Sequence, residues 1–149
     1  MKFNLTKPTL IFAIVGLFIP GFTAIGLLGI QKLLSSVGLE CSTAWTIIWI
    51  TTIIVGLALP YLFYRHISTL TADKLQVLKT RLTLFNLLEY ILIQSSLTPL
   101  FTSGRTLCYG SGGQNGLELV FTAWLALPIL LLFSFIFNQT LKATNNQAQ

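Results

Sequence analysis

Two cysteines and one acid stand out chemically in this chain. Cys41 lies in SSVGLECST, and Cys108 in LFTSGRTLCYGSGGQNGLE, a soft stretch that holds five of the chain's eleven glycines. A distant thiol pair can close a structural disulfide, remain as two free thiols, or exchange with a substrate's disulfide. Exchange needs an attacking and a resolving thiol close together, which membrane thiol oxidases supply through CxxC and further cysteines. This chain has two cysteines and no CxxC. A structural Cys41–Cys108 bridge is therefore the leading expectation. It would close a loop of about 67 residues, worth on the order of 3–4 kcal/mol in the chain-entropy account.

Glu89 is the only charge in residues 82–104. A carboxylate inside an apolar spanning segment costs about 2.5–3.5 kcal/mol at the bilayer centre, so it marks either a packing site or a functional one. Leu75, Leu78, Leu82, Phe85 and Glu89 repeat at 3-4-3-4 spacing, the seam of a packed helix pair, which turns Glu89 toward neighbouring helices. Asn86, Tyr90 and Gln94 lie near that face and can bond to it. One reading is structural: a protonated or hydrogen-bonded carboxyl that fixes helix packing. The other is a proton- or cation-binding carboxyl on a transport path. That route needs polar groups along it, and the remaining apolar segments supply only Thr, Ser and Trp.

Other site chemistry finds little to work with. YGSGGQNG begins a GxGxxG pattern but ends it with Asn115, no strand precedes it, and no GK[ST] follows. His66 is the only histidine, and the four acids lie on different segments, so neither a bis-histidine haem nor a metal-spaced ligand set is expected. No nucleophile–base pair is apparent, so the expectation is a protein that is not an enzyme and carries no cofactor.

The elements that must position these residues are apolar. Across 149 residues, 54% are hydrophobic and 9% charged, against about a quarter charged in soluble domains. Residues 9–30, 44–64, 82–104 and 119–137 each approach the roughly 20 residues needed to cross a bilayer. The expectation is an all-α integral membrane protein, a single domain built as a four-helix transmembrane bundle. The first run follows Lys2 and Lys7 like a signal peptide, but it is long and PGFTAIG is a poor cleavage site, so it is expected to be retained. The third helix begins early, with Thr71 as cap and Asp73 in its first turn. Residues 138–149 read as a flexible polar tail.

Charge sets the orientation. Lys2, Lys7, Arg65, Lys74, Lys79, Arg81 and Lys142 fall on one side, and Lys32 and Arg105 on the other. The positive-inside rule then places both termini in the cytoplasm, with the two cysteine-bearing connections outside. In a bacterial inner membrane that outer compartment is oxidising, which favours the bridge. The net charge of +5 is scattered between apolar runs and forms no basic patch, so no nucleic-acid partner is expected. Trp45 and Trp49 anchor one end of the second span, and Tyr61, Phe63 and Tyr64 the other. Pro20, Pro60, Pro99 and Pro128 place one proline in each span, and Gly16, Gly21, Gly26 and Gly29 permit close approach of the first helix. GLALPYLF and WLALPILLLF share LALP, a hint of two related hairpins.

The function expected from these features is non-enzymatic contact, within the bilayer, with another membrane protein or with further copies of the chain. Such a protein would serve as an accessory subunit or as an immunity protein against a pore-forming toxin. The alternatives are a small oligomeric transporter or channel using Glu89, and a membrane thiol-redox protein using Cys41 and Cys108.

Overall fold

The computed structural model describes residues 4–18, 22–68, 75–101 and 118–147, and every regular element among them is helical. In chain order these are α1 (Thr6–Leu17), α2 (Phe22–Ser36), α3 (Cys41–Ser68), α4 (Leu75–Leu97), a 3-10 turn (Thr98–Leu100) and α5 (Glu118–Gln147). Two helices are long and apolar enough to cross a membrane, over Cys41–Ile67 and Phe121–Lys142. The apolar part of α1, Thr6–Gly16, is shorter.

The expected first span over 9–30 is instead two helices, α1 and α2. Pro20 lies between them in the sequence. A proline has no N–H to donate and its ring clashes with the carbonyl four residues back, which favours a helix end at that point. Pro60 and Pro128, in contrast, lie inside continuous α3 and α5. Residues 69–74, which carry the expected Thr71 cap, lie outside the described residues, as do residues 102–117.

α5 also departs from expectation. The polar segment from residue 138 continues the helix to Gln147 and is not a tail. The reason is tertiary: Asn138 is buried, its Oδ1 accepts the Leu5 backbone N–H at 3.4 Å, and Leu141 packs against the core.

Close contacts give the helix directions. Asn86 meets Thr9 and Tyr90 meets Gly16, so α1 runs parallel to α4. Leu5 pairs with Asn138, and Gly16 lies against Leu127, so α1 and α5 run antiparallel. Phe63 stacks on Phe85 at 4.5 Å, whereas Trp49 reaches Ser96, so α3 and α4 are antiparallel too. Phe137 completes an aromatic knot with Phe63 at 5.1 Å and Phe85 at 5.4 Å, which joins α3, α4 and α5. α2 buries a single narrow face, Thr23, Leu27 and Gln31 at i, i+4, i+8, and packs against α3 and α4. α4 touches all four other helices.

The ends of α2 and α4 are finished by specific groups. Gly38 has φ of +100°, a left-handed conformation open to glycine, and it lets the chain turn in four residues into α3. Pro99 has no N–H for the Ser95 carbonyl; the Thr98 hydroxyl donates to that carbonyl instead. The next carbonyl, on Ser96, accepts the Trp49 indole N–H at 3.1 Å. Trp49 thus covers an orphan group at a helix C-terminus and holds α3 to α4.

The glycines expected to bring α1 and its continuation close to a partner divide. A Cβ on Gly16 would meet Leu127 Cδ2 at 3.2 Å, but one on Gly26 or Gly29 would meet nothing within 4 Å, because both lie off the buried face of α2. Gly16→Val should therefore lower stability by about 1–3 kcal/mol through overpacking. Gly26→Ala should raise it by up to about 1 kcal/mol through helix propensity. Thermal or denaturant unfolding in detergent, followed by tryptophan fluorescence, checks both; equal effects at the two sites would refute the assigned contact at Gly16.

Candidate functional site

The interior is unusually polar for so apolar a chain. Asn86, Tyr90 and Gln94 on α4 and Thr98 in the 3-10 turn that follows it recur every fourth residue, and all four are buried. At 1.5 Å per residue this stripe runs about 18 Å along the helix. Glu89 lies beside it, 1% exposed, on the same seam as buried Leu78, Leu82 and Phe85. Neighbouring helices add buried Thr9, Thr23, Thr122, Ser134 and Asn138.

A polar relay crosses three helices at one level. Asn138 Oδ1 on α5 accepts the Leu5 N–H. The Leu5 carbonyl accepts the Thr9 hydroxyl at 3.1 Å, and Thr9 Oγ1 accepts from Asn86 Nδ2 at 3.1 Å. This fixes the Asn86 amide: the Thr9 hydroxyl has given its proton to Leu5, so it faces the nitrogen end of Asn86. The Asn86 oxygen is left over, buried and without a hydrogen-bond partner among the described residues. One turn along α4, the Tyr90 hydroxyl donates to the Gly16 carbonyl at 3.2 Å, and its ring meets Phe12 edge-on at 5.9 Å.

Other buried polar atoms lack hydrogen-bond partners among the described residues: Glu89 Oε2, both amide atoms of Gln94, Thr23 Oγ1 and Ser134 Oγ. Several hydroxyls elsewhere in these helices donate back to the carbonyl four residues earlier, as Ser95 does to Ile91, Ser96 to Leu92 and Thr140 to Ile136. Such bonds satisfy a hydroxyl within its own helix. Ser134 does not make one to Leu130.

The four sequence-derived site residues Asn86, Glu89, Tyr90 and Gln94 are thus all buried on α4. The contributions of Thr9, Ser134 and Asn138 were not anticipated. Two spacings carry that signal, Leu5 with Thr9 and Ser134 with Asn138, each one turn apart. Cys41 is the first residue of α3 and not part of a loop; it is half-buried, with the Gln31 amide donating to its Sγ at 2.8 Å. Cys108 lies outside the described residues. His66 is half-buried and meets the Arg81 guanidinium, an end-of-helix contact with no ligand geometry.

No protein-family model, curated protein or solved structure matches this chain.

The relay predicts coupling between helices. In a double-mutant cycle of Thr9→Val and Asn86→Leu, the interaction energy should be about 0.6–1.7 kcal/mol, the range of hydrogen bonds between membrane helices. Unfolding of the two single variants and the double variant in detergent measures it. Additivity within about 0.3–0.5 kcal/mol would remove the relay as a link between α1 and α4.

Proposed function

We propose that this chain is an integral protein of a bacterial inner membrane, crossing it four times with both termini in the cytoplasm. It acts without catalysis, by contacting another membrane protein as an accessory subunit or as an immunity protein against a pore-forming toxin. The observation that carries this reading is the outer surface of α3. Within this membrane-length helix only 11% of the most apolar window is buried, against 44% for α5. Its bare face holds Ile47, Ile50, Ile54, Leu57, Tyr61 and Tyr64, all exposed at 3-4-3-4-3 spacing. That spacing is what a second helix needs for a seam.

Membrane residence draws on the inversion of the molecule. Among the described residues the large hydrophobics face outward more often than inward, while Asn86, Glu89 and Gln94 face inward. A soluble domain exposing contiguous apolar surface on this scale would aggregate. Four crossings are supported by the alternating directions of α1, α3, α4 and α5. Orientation is supported by the clustering of Lys7, Arg65, Lys79, Arg81 and Lys142 at the end marked by Leu5 and Asn138, with Lys32 at the other. The Cys41–Cys108 disulfide belongs to this reading as the tie between the outer connections, in a compartment whose oxidising chemistry favours such a bond.

Maleimide mass-tagging before and after reduction tests bond and topology together. Wild type should take no tag until reduced and then take two, while Cys41→Ser and Cys108→Ser each take one from the outside without reduction. Two tags on unreduced wild type would remove the bridge. A photo-crosslinking residue at Leu57 in native membranes tests the contact face. It should give one adduct of defined mass that is absent with the probe at exposed Leu132 on α5. Adducts to lipid alone, or the same products from both positions, would overturn the reading.

A further inference from the structure

The unpartnered buried groups have a common chemistry. Besides one amide nitrogen of Gln94, those on Thr23, Asn86, Glu89, Gln94 and Ser134 are oxygens. Buried polar atoms ordinarily find a partner, and leaving one without is costly to the folded state. Oxygens with spare lone pairs around a carboxyl are the ligand set of a hard cation. We propose that Glu89 is the anionic ligand of a monovalent alkali-cation site in the helix core, completed by Asn86 Oδ1 and Ser134 Oγ.

Helix geometry, the relay and the register of α1 against α5 argue that these groups share one level of the core. Asn86 and Glu89 are three apart on α4, where side chains on one face lie about 5–6 Å apart at Cβ. The relay through Thr9 commits the Asn86 nitrogen, so its oxygen is the end left for a ligand. Ser134 arrives from α5 by register. Leu5 meets Asn138 and Gly16 meets Leu127, so each step outward along α1 matches one backward along α5, which sets Ser134 level with Thr9 and hence with Asn86.

Charge selects the ion. Lys7, Lys32, Arg65, Lys79, Arg81 and Lys142 are all exposed, and His66 is turned to Arg81, so none serves as the counter-ion of Glu89 within the described core. Facing Glu89, the described parts of α1, α3 and α5 contribute no buried charged side chain, and Tyr90 on α4 itself is the other buried titratable group. A single carboxylate balances one positive charge, whereas divalent calcium sites gather several carboxylates. The site stands apart from the partner-contact reading, since binding is read without any partner or any transport.

The test is the thermal unfolding midpoint of the purified full chain in detergent at pH 8, titrated with NaCl and KCl against choline chloride. A saturable rise with Na+ or K+ is expected, because a ligand that binds only the folded state stabilises it. That rise should be lost in Glu89→Gln and shifted to at least tenfold higher concentration in Asn86→Leu. Identical midpoints in all three salts would leave the proton as the only occupant and overturn the proposal. So would a rise that persists undiminished in Glu89→Gln. Should that variant fail to fold, wild type decides through pH. A proton and a cation compete for one carboxyl, so the apparent affinity should fall by about tenfold for each pH unit below its titration. Affinity constant from pH 8 to pH 4 would place the cation elsewhere.

Discussion

A strip of polar side chains along a helix that must be buried is the constraint from which the rest of this arrangement follows. Asn86, Tyr90 and Gln94 occupy successive turns of α4 and Thr98 opens the 3-10 turn beyond it, with Glu89 alongside. Facing lipid or bare apolar surface, each would lack a partner, and the cost of burying such groups unpaired exceeds the worth of most single contacts in a helix pair. Covering the strip demands helices on several sides. α1 brings Thr9 and the Gly16 carbonyl, α5 brings Asn138 and Ser134, and α3 brings the indole of Trp49 to the strip's far end. The central place of α4 is thus a consequence of its polarity, although it is the least apolar of the long helices.

The same demand accounts for the separation of α1 from α2. A continuous first helix would carry one face along one neighbour. The two halves instead serve different partners, α1 lying against α4 and α5 while α2 lies on α3 and α4. The buried positions agree with this division, Leu5, Thr9, Ala13 and Gly16 in the first half and Thr23, Leu27 and Gln31 in the second. A proline between the halves removes a hydrogen bond at little cost where the helix already needs to turn.

Much of this was legible in the sequence. The part of the 3-4-3-4 seam that runs from Leu78 through Leu82 and Phe85 to Glu89 is buried as its spacing implied, because helical periodicity depends on local geometry alone. The polar face was half read: Asn86, Tyr90 and Gln94 were visible as neighbours of Glu89, but Thr98 was hidden behind Pro99, which marks the helix end. The helical course of residues 138–147 was not legible, since the polarity of NQTLKATNNQ argues for solvent, and only contact with Leu5 explains a buried Asn138. Glycine spacing suggested one close-packing stripe, yet only Gly16 of the described three meets a neighbour, because Gly26 and Gly29 lie off the face of α2 that buries Thr23, Leu27 and Gln31. Local periodicity can be read in a sequence; which stripe of a helix a neighbour covers depends on the packing.

The two ends of the molecule are held differently, and this bears on what a covalent tie can do. At the basic end, the Phe63–Phe85–Phe137 knot and the Asn138–Leu5–Thr9–Asn86 relay together join α1, α3, α4 and α5. At the Cys41 end the described ties are narrower: Trp49 on the Ser96 carbonyl, Gln31 on Cys41 Sγ, and a stack of Phe101 on Phe121 at 6.2 Å. A bond from Cys41 to the connection between α4 and α5 would therefore act where packing holds the helices least. Cross-links stabilise mainly by restricting the unfolded chain, and this one would restrict it without disturbing the packed end that carries Glu89. The acid and its oxygen neighbours sit nearer the tightly held end, where the relay keeps the Asn86 amide in one orientation whatever happens beyond Thr98.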